Sequence, residues 1–338
     1  MSQPATSEDI GKIGIPHLKR LWSRAQSVRT TGLADQTTDG EADTIVIHGL
    51  GLNLLETYRY LYGFADGRTP DFAEFEQWVL DKNSGSISPD RISRIKASLA
   101  GEIGEPAPTT TLARVFSDDE MKFWDEHGYV ILHNAVTEEQ RQAAVEVLCD
   151  HLKVNLDDPE TWYTTGLGAS IMVELVHHPA LNATRESPRI RQAFAQIWGT
   201  ADLFMTNDRC GFNPPERPGF RFPGPYLHWD TSLVAPVPLG TQGILYLTDT
   251  EAEQGALTCV PGFNRRIDTW LTSLPADVNP RLQNFSSESV PIAGRAGDLI
   301  IWHHALPHGS RPNRTTRPRL VQYINMYPPN LDDKRPWV

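Results

Sequence analysis

The spacing of hydrophobic and polar residues changes near position 113 of this 338-residue chain. Before that position, apolar residues recur at intervals of three and four, which predicts amphipathic helices. The predicted helices cover residues 15–28, 50–62, 71–81 and 90–99. A polar run at 30–43 predicts a loop, and the proline- and threonine-rich run 104–111 predicts a linker. The pattern therefore divides the chain into a helical N-terminal segment, residues 1–112, and a second domain, residues 113–338.

Beyond position 113 the pattern begins with two predicted helices, at about 118–127 and 137–153, and then changes. Short apolar runs bounded by glycine and proline replace the helical spacing, which predicts buried strands. Three examples are 242–248 (QGILYLT), 297–302 (GDLIIW) and 320–326 (LVQYINM). We therefore predict a mostly β domain with flanking helices, whose core is a double-stranded β-helix of the jelly-roll, cupin-like type.

The N-terminal segment has no motif that assigns it a role. Its helices carry apolar positions that need a surface to pack on, so a structural brace is the favoured interpretation. The alternatives are a lid, a self-association arm and a docking module for a carrier protein.

The charge of the chain excludes some classes of partner. Asp and Glu outnumber Lys and Arg by 42 to 31, giving a formal net charge of −11, which argues against binding to nucleic acid or to an anionic membrane. No run approaches the length of a membrane span, and the first residues have no signal-peptide pattern. The three cysteines form no Cys-x-x-Cys motif, so we expect reduced thiols in a cytoplasmic protein whose partner is a small-molecule substrate.

Candidate chemistry first appears in the run 225–233 (PYLHWDTSL). On an extended strand, residues two apart point to the same face, so His228 and Asp230 share one side and Trp229 takes the other. Two histidines and one carboxylate form the facial triad that holds iron(II) in non-heme oxygenases. The histidines available to complete it downstream are His303, His304 and His308. By itself His-x-Asp is a weak signal, because hydrogen-bonded histidines beside an aspartate are common.

Further motifs follow in order along the chain. They are 123–132 (FWDEHGYVIL), 213–215 (NPP), 255–262 (GALTCVPG), 297–298 (GD), 308–313 (HGSRPN) and 317–319 (RPR). Together with His228-x-Asp230, they resemble the phytanoyl-CoA hydroxylase (PhyH) family of Fe(II)/2-oxoglutarate oxygenases over about residues 116–327. The combination of His-x-Asp with His-Gly-Ser is the specific part. One departure is the turn at 261–264 (PGFN), where the family often has Pro-Gly-Ser-His.

The resemblance implies roles for six residues. The iron ligands would be His228, Asp230 and His308. Arg319 would bind the distal carboxylate of 2-oxoglutarate, Ser310 would assist it, and Asn213 would lie near the cosubstrate. The resemblance thus implies a dioxygenase that uses Fe(II), 2-oxoglutarate and O2 to oxidise a small organic molecule, most simply by hydroxylation, with release of succinate and CO2. Desaturation, epimerisation and ring closure use the same kind of site and are not separated from hydroxylation by these motifs.

Several assignments have rivals. His303 and His304 compete with His308 as the distal ligand, and the family pattern selects His308 through its Gly-Ser. Arg317 competes with Arg319 as the carboxylate anchor, and the one that is not the anchor would be a surface cation.

Other polar residues on predicted strands have two readings. Arg209 either lines the pocket or, as we favour, pairs with an acid. Gln242 and Tyr246, on one face of a strand by alternation, either touch the cosubstrate or make core hydrogen bonds. For the protein as a whole, the alternative function is a cupin-like metal-binding or regulatory protein without turnover.

Overall fold

The computed structural model describes residues 4–31, 39–63, 68–102, 114–163, 170–329, 333, 335, 336 and 338. The chain forms two compact units. Unit 1 comprises Met1–Pro108, Asp202–Asn207 and Tyr327–Lys334, and unit 2 comprises Thr109–Ala201, Asp208–Met326 and Arg335–Val338. The N-terminal helical segment is thus accompanied in unit 1 by two short segments from later in the chain. The linker predicted at 104–111 lies outside the described residues.

Unit 1 consists mainly of helices whose ends are fixed by capping side chains. The helices are α1 (Leu18–Thr31), α2 (Gly40–Gly49), α3 (Leu54–Tyr62), α4 (Phe72–Lys82) and α5 (Pro89–Leu99). Asn53 caps α3, Asp71 forms a capping box on α4, and Ser88 caps α5 ahead of a proline at its first position. These caps are local signals, which explains why the predicted helix starts near 71 and 90 lie within two residues of those observed.

Helix α2 corrects one prediction, because it begins at Gly40, inside the run 30–43 that was predicted to be a loop. Its apolar residues Ile45, Val46 and Ile47 are buried. The polar residue Asp43 is also buried, since it pairs with Arg24 of helix α1. Because Asp43 is a charged residue on the buried side of the helix, residues 40–49 do not follow amphipathic spacing. The hydrophobic spacing therefore did not predict this helix. Residues 32–38 of the predicted loop lie outside the described residues.

Unit 2 alternates helices with short strands. Its helices are α6 (Asp118–His127), α7 (Glu138–Leu152), α8 (Pro179–Arg185), α9 (Pro188–Trp198) and α10 (Ile267–Ser273). The strands of the chain are β1 (Tyr129–Leu132), β2 (Met172–Val173), β3 (Phe204–Met205), β4 (Cys210–Asn213), β5 (Thr241–Tyr246), β6 (Leu257–Cys259), β7 (Val290–Ile292), β8 (Leu299–His303), β9 (His308–Gly309), β10 (Arg319–Tyr323) and β11 (Met326–Tyr327). Of these, β3 and β11 form a separate two-stranded sheet.

The two main sheets of unit 2 are antiparallel. The larger has the order β1-β8-β5-β10-β4-β2 and the smaller the order β7-β6-β9. The core between them draws residues from both sheets, including Ile244, Tyr246 and Ile300 of the larger and Leu257 and Ile292 of the smaller. This is the arrangement of two facing sheets with flanking helices that the short strands predicted.

The expectation of a mostly β chain is not supported, because helices hold 38% of the residues and strands only 15%. The strands are short and the helices of both units are long, so the sheets define the core without dominating the composition. Among the described residues, no helix combines the length and the apolar character that a membrane span requires.

Side chains alternate between the two faces of strand β10. On β10, Val321 lies in the core between the sheets, whereas Gln322 on the opposite face bonds to Thr184 and to the Leu181 carbonyl of α8. The predicted run 320–326 breaks after Tyr323, and β11 starts anew at Met326. Arg319 is thus the first residue of strand β10, and the inward-pointing side chains of that strand continue into the core.

Candidate active site

The alternation predicted around Trp229 is confirmed. Trp229 packs in the core against Phe263 and Trp270, at ring-centroid distances of 5.8 Å and 5.7 Å, and its indole N–H donates to the Ala305 carbonyl. His228 and Asp230 consequently point away from the core, and Asp230 is half exposed. The buried tryptophan anchors the segment, which fixes the direction of its two polar neighbours.

Backbone hydrogen bonds join His308 to His228. The two residues exchange N–H···O=C hydrogen bonds of 2.9 Å and 3.0 Å, forming an isolated antiparallel bridge that adds the His228 segment to the edge of strand β9. In such a pair the side chains lie side by side, and the two imidazole centroids are 4.7 Å apart. A long-range pairing therefore brings the distal histidine to the His-x-Asp motif.

The three predicted ligand atoms converge. His228, Asp230 and His308 offer one nitrogen or oxygen each within 4.8 Å of one another. The Asp230 carboxylate lies 3.4 Å from Nε2 of His228 and 3.3 Å from Nε2 of His308. The structure thus groups these three side chains as the sequence predicted.

The rival histidines are engaged elsewhere. Nδ1 of His303 accepts the Ala305 backbone N–H at 3.0 Å, so this ring is neutral, and burial lowers its pKa to about 3. Nε2 of His304 bonds to the Pro238 carbonyl at 2.7 Å. Neither residue belongs to the group of three.

The hydrogen bonds of the two grouped histidines fix their tautomers. Nδ1 of His228 lies 2.7 Å from the Tyr226 carbonyl, and Nδ1 of His308 lies 3.0 Å from the Leu306 carbonyl. A carbonyl oxygen only accepts, so each Nδ1 must carry the hydrogen. Each ring therefore turns its other nitrogen, Nε2, toward Asp230. Holding a ligating imidazole by its other nitrogen is the usual way in which proteins orient it for a metal.

The electrostatics of the group favour a cation. Burial lowers the pKa of His228, but the hydrogen bond and charge of Asp230 outweigh it, so the pKa of His228 is raised. Partial burial acts to raise the pKa of Asp230, yet the two imidazoles hold it well below its usual range. Without a cation, a proton on Nε2 of either histidine pairs with the carboxylate. A divalent cation can replace that proton, because both deprotonated Nε2 atoms and the carboxylate oxygen then act as ligands.

Two further residues position Asp230. Nε2 of Gln242 donates to the carboxylate at 2.7 Å. Arg281 donates to the carbonyls of Trp229 and Thr231, which flank Asp230 in the chain. Alternation had placed Gln242 on an inward face without saying which group it meets. Arg281 carried no sequence signal, because it lies in a single 3-10 turn, Pro280–Leu282, outside every motif.

The predicted cosubstrate residues also lie together. The Arg319 side chain is completely buried, and its Nη1 donates to the Gly255 carbonyl at 2.5 Å and to Ser310 Oγ at 3.2 Å. Asn213 is the register partner of Arg319 across strands β4 and β10. Ser310 lies two residues beyond His308, so one short segment contributes a residue to the group of three and a partner to the buried Arg319.

This corner has unused hydrogen-bonding capacity. Among the described residues, Nε and Nη2 of Arg319 and Oδ1 of Asn213 are buried without a hydrogen-bond partner. Leaving charged donors buried and unpaired costs free energy, so a ligand that fills them is favoured. A carboxylate matches the planar fork of a guanidinium. The residues present therefore fit both groups implied by the sequence, a divalent iron and a dicarboxylate.

Three other residues, Arg317, Arg209 and Tyr246, were candidates for the site from the sequence. Arg317 is exposed, in contrast to the buried Arg319. Arg209 lies 3.4 Å from Asp208, the acid pairing that the sequence favoured. Tyr246 makes core hydrogen bonds, donating to the Ile292 carbonyl and accepting from the backbone N–H of Leu257.

Comparison with known proteins places this geometry in a family. The model of the family described as Phytanoyl-CoA dioxygenase (PhyH) matches residues 124–321. A putative phytanoyl-CoA dioxygenase of Dictyostelium discoideum is 21% identical over 260 residues, covering 61% of this chain and 74% of its own. An ectoine dioxygenase of Nocardia farcinica is 27% identical over 262 residues, covering 68% of this chain and 84% of its own.

Among solved structures, the non-heme alpha ketoglutarate dependent carbocyclase SnoK from nogalamycin biosynthesis aligns with a TM-score of 0.46 and 19% identity. The alignment covers 68% of this chain and 92% of that one.

Proposed function

This chain belongs to the phytanoyl-CoA dioxygenase (PhyH) family and is an Fe(II)/2-oxoglutarate-dependent dioxygenase, and from that premise we propose that it hydroxylates a small organic molecule. The family match spans the segment that contains all six predicted site residues. In the proposed reaction a C–H bond of the substrate becomes C–OH, while 2-oxoglutarate and O2 are converted to succinate and CO2.

The observation that carries the proposal is the convergence of His228, Asp230 and His308, with Nε2 of both histidines turned toward the carboxylate. We assign these three as the iron ligands. Bound iron and 2-oxoglutarate supply the oxidising chemistry with O2, and the protein supplies binding and orientation. The charge of a single carboxylate leaves the metal electrophilic, and three protein ligands leave positions open for cosubstrate and O2.

We assign Arg319 to the distal carboxylate of 2-oxoglutarate. Its unpaired Nε and Nη2 are the donors that such a group would fill, while Nη1 is already fixed by Gly255 and Ser310. Because Ser310 Oγ accepts from Arg319, the hydroxyl proton of Ser310 stays available for the same ligand. Asn213 lines this corner through its unpaired Oδ1, which accepts hydrogen bonds only. We therefore propose that it contacts a bound water or hydroxyl group beside the dicarboxylate.

Succinate release tests the function. Purified protein is reconstituted with Fe(II) and 2-oxoglutarate, and succinate is measured in air with and without pools of metabolites. We expect slow release without substrate, faster release with the correct pool, and none from Asp230→Ala. Binding of Fe(II) and 2-oxoglutarate without any succinate release, under any pool, would instead support the non-catalytic metal-binding alternative.

The substrate and the oxidation outcome are separate questions. Relatives at 21% to 27% identity do not carry their substrates over to this chain. Mass analysis of the product distinguishes the outcomes, since hydroxylation adds one oxygen atom, desaturation removes two hydrogens and epimerisation leaves the mass unchanged. We expect the addition of one oxygen.

A further inference from the structure

A tryptophan and a glutamine connect two of the three proposed ligands. Gln242 and Trp302 are register partners on neighbouring strands β5 and β8. The indole N–H of Trp302 donates to Oε1 of Gln242 at 3.1 Å, and Nε2 of Gln242 donates to Oδ2 of Asp230 at 2.7 Å. The ring of Trp302 also packs against His308, with centroids 5.2 Å apart. We call Trp302 and Gln242 the Trp–Gln bracket.

The chemistry of its ends fixes the direction of the bracket. An indole nitrogen only donates, so the amide oxygen of Gln242 must face Trp302. The amide nitrogen then faces Asp230, whose ionised carboxylate only accepts. Reversing the amide would set two donors against each other at one end and two acceptors at the other. The indole of Trp302 and the amide of Gln242 therefore each have only one possible assignment of donor and acceptor in these hydrogen bonds.

We infer that the Trp–Gln bracket is a positioning device for the metal, an inference that rests on the function proposed above. Gln242 holds Oδ2 of Asp230, which also lies 3.3 Å from Nε2 of His308, and we assign Oδ1, the oxygen nearer His228, as the ligand atom. Trp302 sets the direction of Gln242 and at the same time supports the ring of His308. One buried residue therefore orients a carboxylate and an imidazole that lie far apart in sequence.

The Trp–Gln bracket does more than stabilise the fold, because Gln242 donates its hydrogen bond to the half-exposed carboxylate of Asp230. The Asp230 side chain is 52% exposed, so water could satisfy Oδ2 without help from the protein. The protein instead fixes that oxygen with a directed amide. Partners of this kind around a metal ligand typically change metal affinity by about 10- to 100-fold.

Titration with Co(II) alone tests the inference without turnover. We expect Gln242→Met, which keeps the length of the side chain but has no amide, to bind Co(II) about 10- to 100-fold more weakly than the parent chain. Trp302→Phe should weaken binding less, because a ring still packs on His308. The visible absorption of the saturated Co(II) complex should also change in Gln242→Met, since the carboxylate is no longer held.

Trp198→Phe is the matched control. Trp198 also donates its indole N–H, to Thr241 Oγ1 and to the Met326 carbonyl, and neither of these hydrogen bonds involves Asp230. Its replacement should leave Co(II) affinity unchanged. The double variant Gln242→Met with Trp302→Phe should lose less than the product of the two single losses, because the hydrogen bonds act in series.

The outcomes separate this inference from the proposed function. If the parent chain binds neither Co(II) nor Fe(II), the proposed function itself fails. If the parent chain binds Co(II) and a folded Gln242→Met binds it equally well with the same spectrum, the bracket is overturned. Equal losses in Trp302→Phe and Trp198→Phe would reduce the effect to general packing, and would also overturn it.

Discussion

The protein contains two clusters built from the same residue types, and they are completed in opposite ways. In unit 1, the buried carboxylate of Asp43 accepts from Nε2 of His17 at 2.8 Å, from Arg24 at 3.0 Å and from the Tyr58 hydroxyl at 3.1 Å. The other nitrogen of His17 lies 2.9 Å from the Ser7 hydroxyl. Donors and acceptors match throughout, so this His17–Asp43 cluster is closed.

In unit 2, Nε2 of His228 and Nε2 of His308 lie 3.4 Å and 3.3 Å from the half-exposed carboxylate of Asp230, farther than the 2.8 Å between His17 and Asp43. Nearby Arg319 has buried donors without partners among the described residues. We call these four residues, His228, Asp230, His308 and Arg319, the open cluster. A closed cluster stabilises the fold and leaves nothing for a ligand, whereas the unpaired donors of the open cluster carry a cost that a ligand removes. The partners of the polar atoms, more than the presence of His and Asp, distinguish a structural site from a binding site.

The largest effect is expected when a proposed metal ligand of the open cluster is removed. His228→Ala, Asp230→Ala and His308→Ala should each abolish Fe(II) binding or nearly so, because two ligands hold the metal poorly. Metal analysis after anaerobic reconstitution measures this. His304→Ala is the control and should retain iron; loss of iron there, with full occupancy in His308→Ala, would reverse the assignment.

Breaking the closed cluster should affect stability. Asp43→Ala removes the buried carboxylate shared by His17, Arg24 and Tyr58. Arg24 keeps its ion pair with Asp39, but loss of the shared carboxylate should lower the free energy of unfolding by about 3–5 kcal/mol. Urea denaturation measures the change. Asp118→Ala removes an exposed ion pair with Arg114, and this control should change stability by no more than about 0.5 kcal/mol. Equal effects of the two variants would contradict the comparison.

The next largest effect is expected at Arg319, the residue of the open cluster that we assign to the anionic cosubstrate. Arg319→Leu should retain iron but bind 2-oxoglutarate roughly 100-fold more weakly, a loss of about 3 kcal/mol, because the carboxylate loses its buried cation. Titration of 2-oxoglutarate into the Fe(II) protein measures the affinity. Arg317→Leu is the matched control, and a large loss there with none in Arg319→Leu would move the anchor to Arg317.

A histidine of unit 1 predicts the response of stability to pH. Burial lowers the pKa of His48 to about 4, while the unfolded chain has a pKa near 6.5. Between these values the unfolded state binds more protons, so the stability contributed by neutral His48 is present above pH 6.5 and declines as the pH falls toward 4. At pH 5.5 the loss is about 1.4 kcal/mol.

Urea denaturation at pH 7.5 and pH 5.5 checks this response. His48→Gln should lose less stability between the two pH values than the parent chain, and replacement of the exposed His151 by Gln should leave the parent's loss unchanged. A His48→Gln chain with the parent's full loss would show that other groups cause it.

The smallest effect concerns Ser310. Ser310→Ala removes one hydrogen-bonding partner from Arg319 and should weaken 2-oxoglutarate binding by about 1 kcal/mol, roughly fivefold. The same titration as for Arg319→Leu measures it. An effect as large as that of Arg319→Leu would mean that the hydroxyl, and not the guanidinium, dominates recognition.

The sequence by itself determined what depends on local periodicity. Alternation of period two was enough to place His228 and Asp230 on one face and Trp229 on the other. Capping residues marked the starts of helices α4 and α5. These features need only a few neighbouring residues, so they are readable without the fold.

The tertiary structure decided which distant residues meet. The backbone bridge between His228 and His308 selects the distal histidine, and burial separates Arg319 from the exposed Arg317. The contact of Gln242 with Asp230 follows from strand register and loop path, which no local pattern encodes. Helix α2 formed because Asp43 found buried partners outside its own segment.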